Sequence, residues 1–223
     1  MVIDEQKFAS EELKDQSVLG LAELIYGVLF SPVRTFRRIS DNPPLFHGFL
    51  VFFGVLFLTT LTNILVPSSI MTPTELNLVL ARPRLLIGIM GAFLTLIGWF
   101  VQAGLFQLLA EFFGGKGRAM GVLTVLALAR LPRVLMIPFY VLSYLLADSY
   151  FGRFFIIAAS IIAFIWWAVL LVIGLREIQL FSTARALATL SIPLVILGLT
   201  FIVFAMALVG LVLPFIDGAF PLP

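Results

Sequence analysis

The sequence predicts an all-α integral membrane protein, with five transmembrane helices preceded by short amphipathic interfacial helices. Three observations carry that reading. Hydrophobic residues make up 61% of the chain and charged residues 12%, about half the charged share of a soluble domain. Mean hydropathy is +1.15. Five apolar stretches, each long enough for a ~30 Å hydrocarbon core, are separated by short turns bearing polar residues, glycine or proline.

Residues 1–17 form an acidic, polar tail without the apolar run of a cleaved signal peptide, so insertion falls to later helices. Residues 18–44 hold two short helices. Val18 to Phe30 is apolar but carries Glu23 and is too short to span, which makes it interfacial or re-entrant. Ser31-Pro32 places an N-cap residue before a proline at the first helical position, opening PVRTFRRI. Val33, Phe36 and Ile39 recur on one side for insertion into the headgroup layer, while Arg34, Arg37 and Arg38 supply lipid-surface contact.

Residues 45–223 hold the five spans, expected at 45–66, 85–113, 119–147, 151–175 and 187–213. Thr72-Pro73-Thr74-Glu75 has capping-box spacing and predicts a short surface helix between the first two. The second span is longer than a bilayer needs and must tilt or project near Glu111. Gly88, Gly91, Thr95, Gly98 and Gln102 fall on one stripe of it, the spacing of a close helix–helix seam. Gln107 extends its polar side. Gly114, Gly115 and Gly117 read as a helix C-cap and tight turn; GGKG lacks the Walker spacing and a preceding strand. The third stretch contains Arg130, Pro132, Arg133 and Pro138. It is either one kinked span or a half-depth segment over 119–129 followed by a crossing. Ser182 is the N-cap expected for the last helix, with a bend at Pro193.

Basic residues set orientation. Lys7, Lys14, Arg34, Arg37, Arg38, Lys116, Arg118, Arg176 and Arg185 fall on the N-terminal side, nine against three (Arg82, Arg84 and Arg153) on the other. The expectation is a cytoplasmic N-terminus and an external C-terminus. Glu111, Arg130, Arg133, Glu177 and Arg185 form the sharpest constellation, a candidate intramembrane charge network. Charges at membrane depth turn inward and find partners, so Arg130 and Arg133 are expected to pair with Glu111 and Glu177.

The absence of cysteine excludes disulfides and thiolate chemistry, and the single His47 cannot supply a metal-binding cluster. No H-E-x-x-H, intramembrane Asp pair or G-x-S-x-G occurs. No cofactor, metal or enzyme activity is expected. No polar domain gathers the basic residues, so nucleic acid is not expected as a partner either.

Three stretches carry a resemblance. GVLFSPVRTFRRISDNPPLFHGFLVF, FFGGKGRAMGVLTVLALARLPRVL and GLREIQLFSTARALATLSIP are similar to the S-P-x-x-x-F-x-x-I segment, the glycine-rich turn with its Leu-Pro helix, and the G-L-R/K…S-x-x-R-A pattern of the Yip family. These are polytopic membrane proteins named for interaction with Ypt/Rab GTPases. The chain resembles the prokaryotic branch in particular. The resemblance implies five spans, an N-in and C-out topology, residence in the cytoplasmic membrane and no catalytic residues. In the eukaryotic branch it implies vesicle traffic through GTPase partners, but the acidic Asp-Leu-Tyr-Gly-Pro segment of that branch has no counterpart here. The leading functional expectation is a non-enzymatic adaptor or membrane organiser whose partners are the lipid bilayer and other membrane proteins or a second copy of itself. The alternative is a small transporter or channel component using the Glu/Arg cluster near the cytoplasmic face.

Overall fold

Helices account for the secondary structure that the computed structural model describes, which covers residues 20–65, 83–146 and 150–219. The tail 1–17, the surface helix expected after Thr72, and Arg82 lie outside the described residues. Helix α1 (Leu21–Phe30) and α2 (Pro32–Arg38) form a hairpin. Pro32 takes the first position of α2, where its missing N–H is not needed. The cap differs from expectation: the Ser31 side chain makes no capping bond, and instead its carbonyl accepts from Thr35 N–H and Thr35 Oγ1.

Then follow α3 (Leu45–Leu65), α4 (Arg84–Phe112), α5 (Ala119–Leu128), a 3-10 helix (Leu131–Met136), α6 (Ile137–Leu145), α7 (Tyr150–Gln179) and α8 (Thr183–Ala219). Among the described residues, five segments are long and apolar enough to cross a membrane: α3, α4, Ala119–Leu145, α7 and α8 through Val209. The third is interrupted, an α-helix followed by a 3-10 helix and a second α-helix. Pro132 stands in the first turn of the 3-10 helix and Pro138 in the first turn of α6, so each proline opens a segment rather than kinking a continuous helix. Helix α8 runs through Pro193. The Arg185 N–H lies 3.5 Å from Ser182 Oγ, at the expected cap.

The interrupted span is the buried centre. Some 61% of its most hydrophobic window is covered, against 22% or less in the other four. Helix α5 packs on α3, α4 and α7 at once, so an apolar residue is needed on nearly every side; Val122, Val125, Leu126, Ala127 and Leu128 are all buried. Such a segment has little amphipathic signal to read.

Two expectations about faces are corrected here. Phe36 and Ile39 do not point into lipid: they are buried in the protein core with Leu24 and Val28. The reason is a groove on α7, where Gly174 has no side chain and the place a Cβ would take lies 2.5 Å from Val125 Cγ1 and 3.3 Å from Phe36 Cζ. The small-residue stripe of α4 makes only part of a seam. Gly88 meets Ile64 of α3, while Gly91 and Gly98 face open space, and Thr95 bonds back to the Gly91 carbonyl. The buried face of α4 is instead Trp99, Ala103, Phe106, Gln107 and Ala110, and Trp99 reaches α5 at the Leu123 carbonyl.

Candidate functional site

The glycine turn between α4 and α5 is built first by local chemistry. Gly114 has φ +80, the left-handed conformation that glycine adopts without a Cβ penalty. The Gly115 N–H then reaches Ala110 O at 2.7 Å and the Gly114 N–H reaches Glu111 O at 2.9 Å, the paired bonds of a Schellman C-cap. Helix α7 ends in the same way, with Leu180 at φ 55 and the Phe181 N–H on Arg176 O at 3.3 Å.

What fixes the turn is a pair of amides. Gln179, wholly buried, accepts from the Gly117 N–H at 2.9 Å and donates to Gln107 Oε1 at 2.8 Å. Its carbonyl accepts from the Lys116 N–H at 3.0 Å. Gln107 Nε2 donates to Glu111 Oε1 at 2.7 Å and Gly117 O at 3.2 Å. The approach leaves no room for side chains: a Cβ on Gly117 would collide with the Ile178 carbonyl, and one on Gly115 would lie 2.6 Å from Gln179 Oε1. Gln179 is absent from the sequence-based candidates. Its signal was an amide at the end of an apolar span, a group that must find a partner once buried.

The expected charge network divides. Glu177, with its side chain 8% exposed, binds Arg37 Nε at 3.0 Å and Arg176 Nε at 2.9 Å. Arg38 reaches Glu23 at 3.3 Å within the α1–α2 hairpin. The pairing of Arg130 and Arg133 with Glu111 and Glu177 is therefore corrected. Packing of α2 on α7 brings Arg37 to Glu177, Glu111 is exposed and engaged by Gln107 one turn before it, and the ten residues of α5 carry the two arginines ~15 Å from the turn. Arg185 lies at the turn, its Nη1 3.7 Å from where a Gly114 Cβ would stand. Of the residues proposed for lipid contact, Arg34, Arg37 and Arg38 are all exposed.

Arg130 is held by aromatics. Its guanidinium lies 4.8 Å over the Phe52 ring, a cation–π contact. Phe52 stacks on Trp99 at 4.0 Å, and Trp99 Nε1 donates to Leu123 O at 3.3 Å. Between Arg130 and Arg133 the chain is in 3-10 conformation, where residues three apart eclipse, so both arginines fall on one side. They line a cavity of about 630 Å³ between α3, α4, the 3-10 helix, α6 and α7. Among the described residues no group of three His, Cys, Asp or Glu could hold a metal ion.

Comparison with known proteins adds one match. The family model described as Yip1 domain covers residues 26–212, from the middle of α1 into α8. No curated protein and no solved structure matches the chain.

Proposed function

Given that this chain belongs to the Yip1 domain family, and is a multi-pass membrane protein with five candidate spans, we propose that it works as a non-enzymatic adaptor or membrane organiser. Its partners are other membrane proteins or a second copy of itself, met within the bilayer. One observation supports this most: the last span, through Val209, buries none of its most hydrophobic window within the chain. The fold's core does not need that surface, and the bilayer or a partner takes it.

The polar groups at the Gly114 end satisfy one another, so they serve as a structural clasp rather than a solute site. The proposed setting is the cell membrane, with the N-terminus cytoplasmic and the C-terminus external; reporters fused to the two ends should be active on opposite sides. Photo-crosslinking residues at Leu197, Phe201 and Phe204, all exposed on α8, should give a discrete protein adduct in native membranes. Adducts with lipid alone at every position would remove the adaptor reading.

A second reading, a small transporter or channel component, draws on the cavity that Arg130 and Arg133 line. Solute flux in reconstituted vesicles, lost on substitution of either arginine, would favour it over the first.

A further inference from the structure

The cavity beside Arg130 and Arg133 has an unusual balance of hydrogen-bonding groups. Thr59 and Thr95, which line it, already donate to the carbonyls of Val55 and Gly91 at 2.7 Å. Asn63, Tyr140 and Ser160 also line it, and among the described residues their side chains have no hydrogen-bond partner. The two guanidiniums bring up to five N–H donors each, and no carboxylate among the described residues lies within ion-pair distance of either. No buried side-chain nitrogen or oxygen lacks a partner in the described residues, so the unused donors of Arg130 open onto the cavity. Among the described residues no Asp or Glu lines it.

Such an arrangement is costly at membrane depth. Arg130 lies against Phe52 and, through it, Trp99, side chains near the middle of α3 and α4. An arginine there ordinarily finds an anionic partner. The ring face supplies packing and part of the electrostatic stabilisation but accepts no strong hydrogen bond, so the planar N–H donors are left for a ligand. Two arginines on one side match the oxygens of a phosphate better than those of a neutral solute. The volume, about 630 Å³, exceeds what a lone phosphate fills and falls within the range for organic ligands. Apolar walls at Ile137 and Trp167 suit the glycerol and first methylenes of an acyl chain.

We propose that this cavity is a binding site for a phosphate-bearing anion, presented by the headgroup of an anionic phospholipid. The inference stands on the cavity and its donors and is independent of the adaptor reading. Arg130 fixes the phosphate from the aromatic column, and Arg133, one 3-10 turn on, supplies the second set of donors.

The test uses the full chain, purified in detergent and titrated with short-chain phosphatidylglycerol, short-chain phosphatidylcholine or inorganic phosphate, with binding read by native mass spectrometry and by thermal shift. Phosphatidylglycerol should bind, and Arg133→Gln should weaken it roughly tenfold or more, about one lost charge-assisted hydrogen bond. Because no carboxylate among the described residues pairs with the Arg133 side chain, this variant removes no ion pair from the described part of the fold. Arg130→Gln gives the second arm, while Arg118→Gln, at an exposed position outside the cavity, should leave binding unchanged. Retention of phosphatidylglycerol against excess inorganic phosphate identifies the lipid as the source; displacement by it identifies the free anion, and either supports the site. Equal binding of the two lipids, or wild-type binding by both arginine variants, would overturn the proposal.

Discussion

Replacing Gly117 by alanine is the perturbation whose consequence follows most directly from the geometry. A Cβ there collides with the Ile178 carbonyl oxygen and lies 2.9 Å from Gln179 Oε1 and 3.0 Å from Gln179 Cδ. The first obstacle is backbone of α7, so it cannot rotate away. Relief requires the turn to lift off α7, which breaks the bond from the Gly117 N–H to Gln179 and strains that from Lys116 N–H to the Gln179 carbonyl. Each lost bond is worth about 0.5 to 1.5 kcal/mol net, and a buried amide left unsatisfied costs about 1 to 3 kcal/mol. The expected loss is therefore about 2 to 4 kcal/mol. Gly98→Ala is the matched control, because it adds the same methyl where nothing lies within 4 Å; in a helix interior that exchange is neutral or stabilising by up to about 1 kcal/mol. Reversible unfolding in mixed micelles, followed by tryptophan fluorescence, measures both, with Trp99 buried against Phe52 as a reporter. A loss under ~0.5 kcal/mol for Gly117→Ala, or equal losses for the two variants, would refute the clasp.

The same assay checks two more outcomes. Glu177→Gln should lose about 1 to 2 kcal/mol, since a nearly buried carboxylate gives up bonds to two arginines, whereas Arg37→Gln, whose side chain is 73% exposed, should lose under about 1 kcal/mol; the reverse order would show that the pair does not hold α2 to α7. Leu180 occupies a left-handed position at φ 55, so Leu180→Gly should be stabilised by up to about 1 kcal/mol and Leu180→Val destabilised. A valine variant as stable as the glycine one would contradict the strain at that position.

Local signals in the sequence located the elements. The expected second span at 85–113 is found as Arg84–Phe112 and the expected fourth, 151–175, as Tyr150–Gln179, because apolar length, proline at helix starts and glycine at a C-cap act within one or two turns. Pro132 marked the break in the third span for the same reason, although its 3-10 form, and hence the side shared by Arg130 and Arg133, did not follow from composition. The candidate charges were legible as residues that need partners, but their partners were not.

Five spans, the two short helices ahead of them and the Gly114 turn were thus determined by the sequence alone, through chain-local sterics and hydrophobicity. Tertiary structure decided what each face meets. Arg37 and Glu177 are 140 positions apart and Gln107 and Gln179 are 72 apart, and no periodicity within a helix encodes such a choice. In lipid every span is apolar on most sides, so hydrophobic pattern cannot say that α5 is central and α8 peripheral. Packing chose, through the groove at Gly174, the bulk of Trp99 and the two amides that close on Gly117.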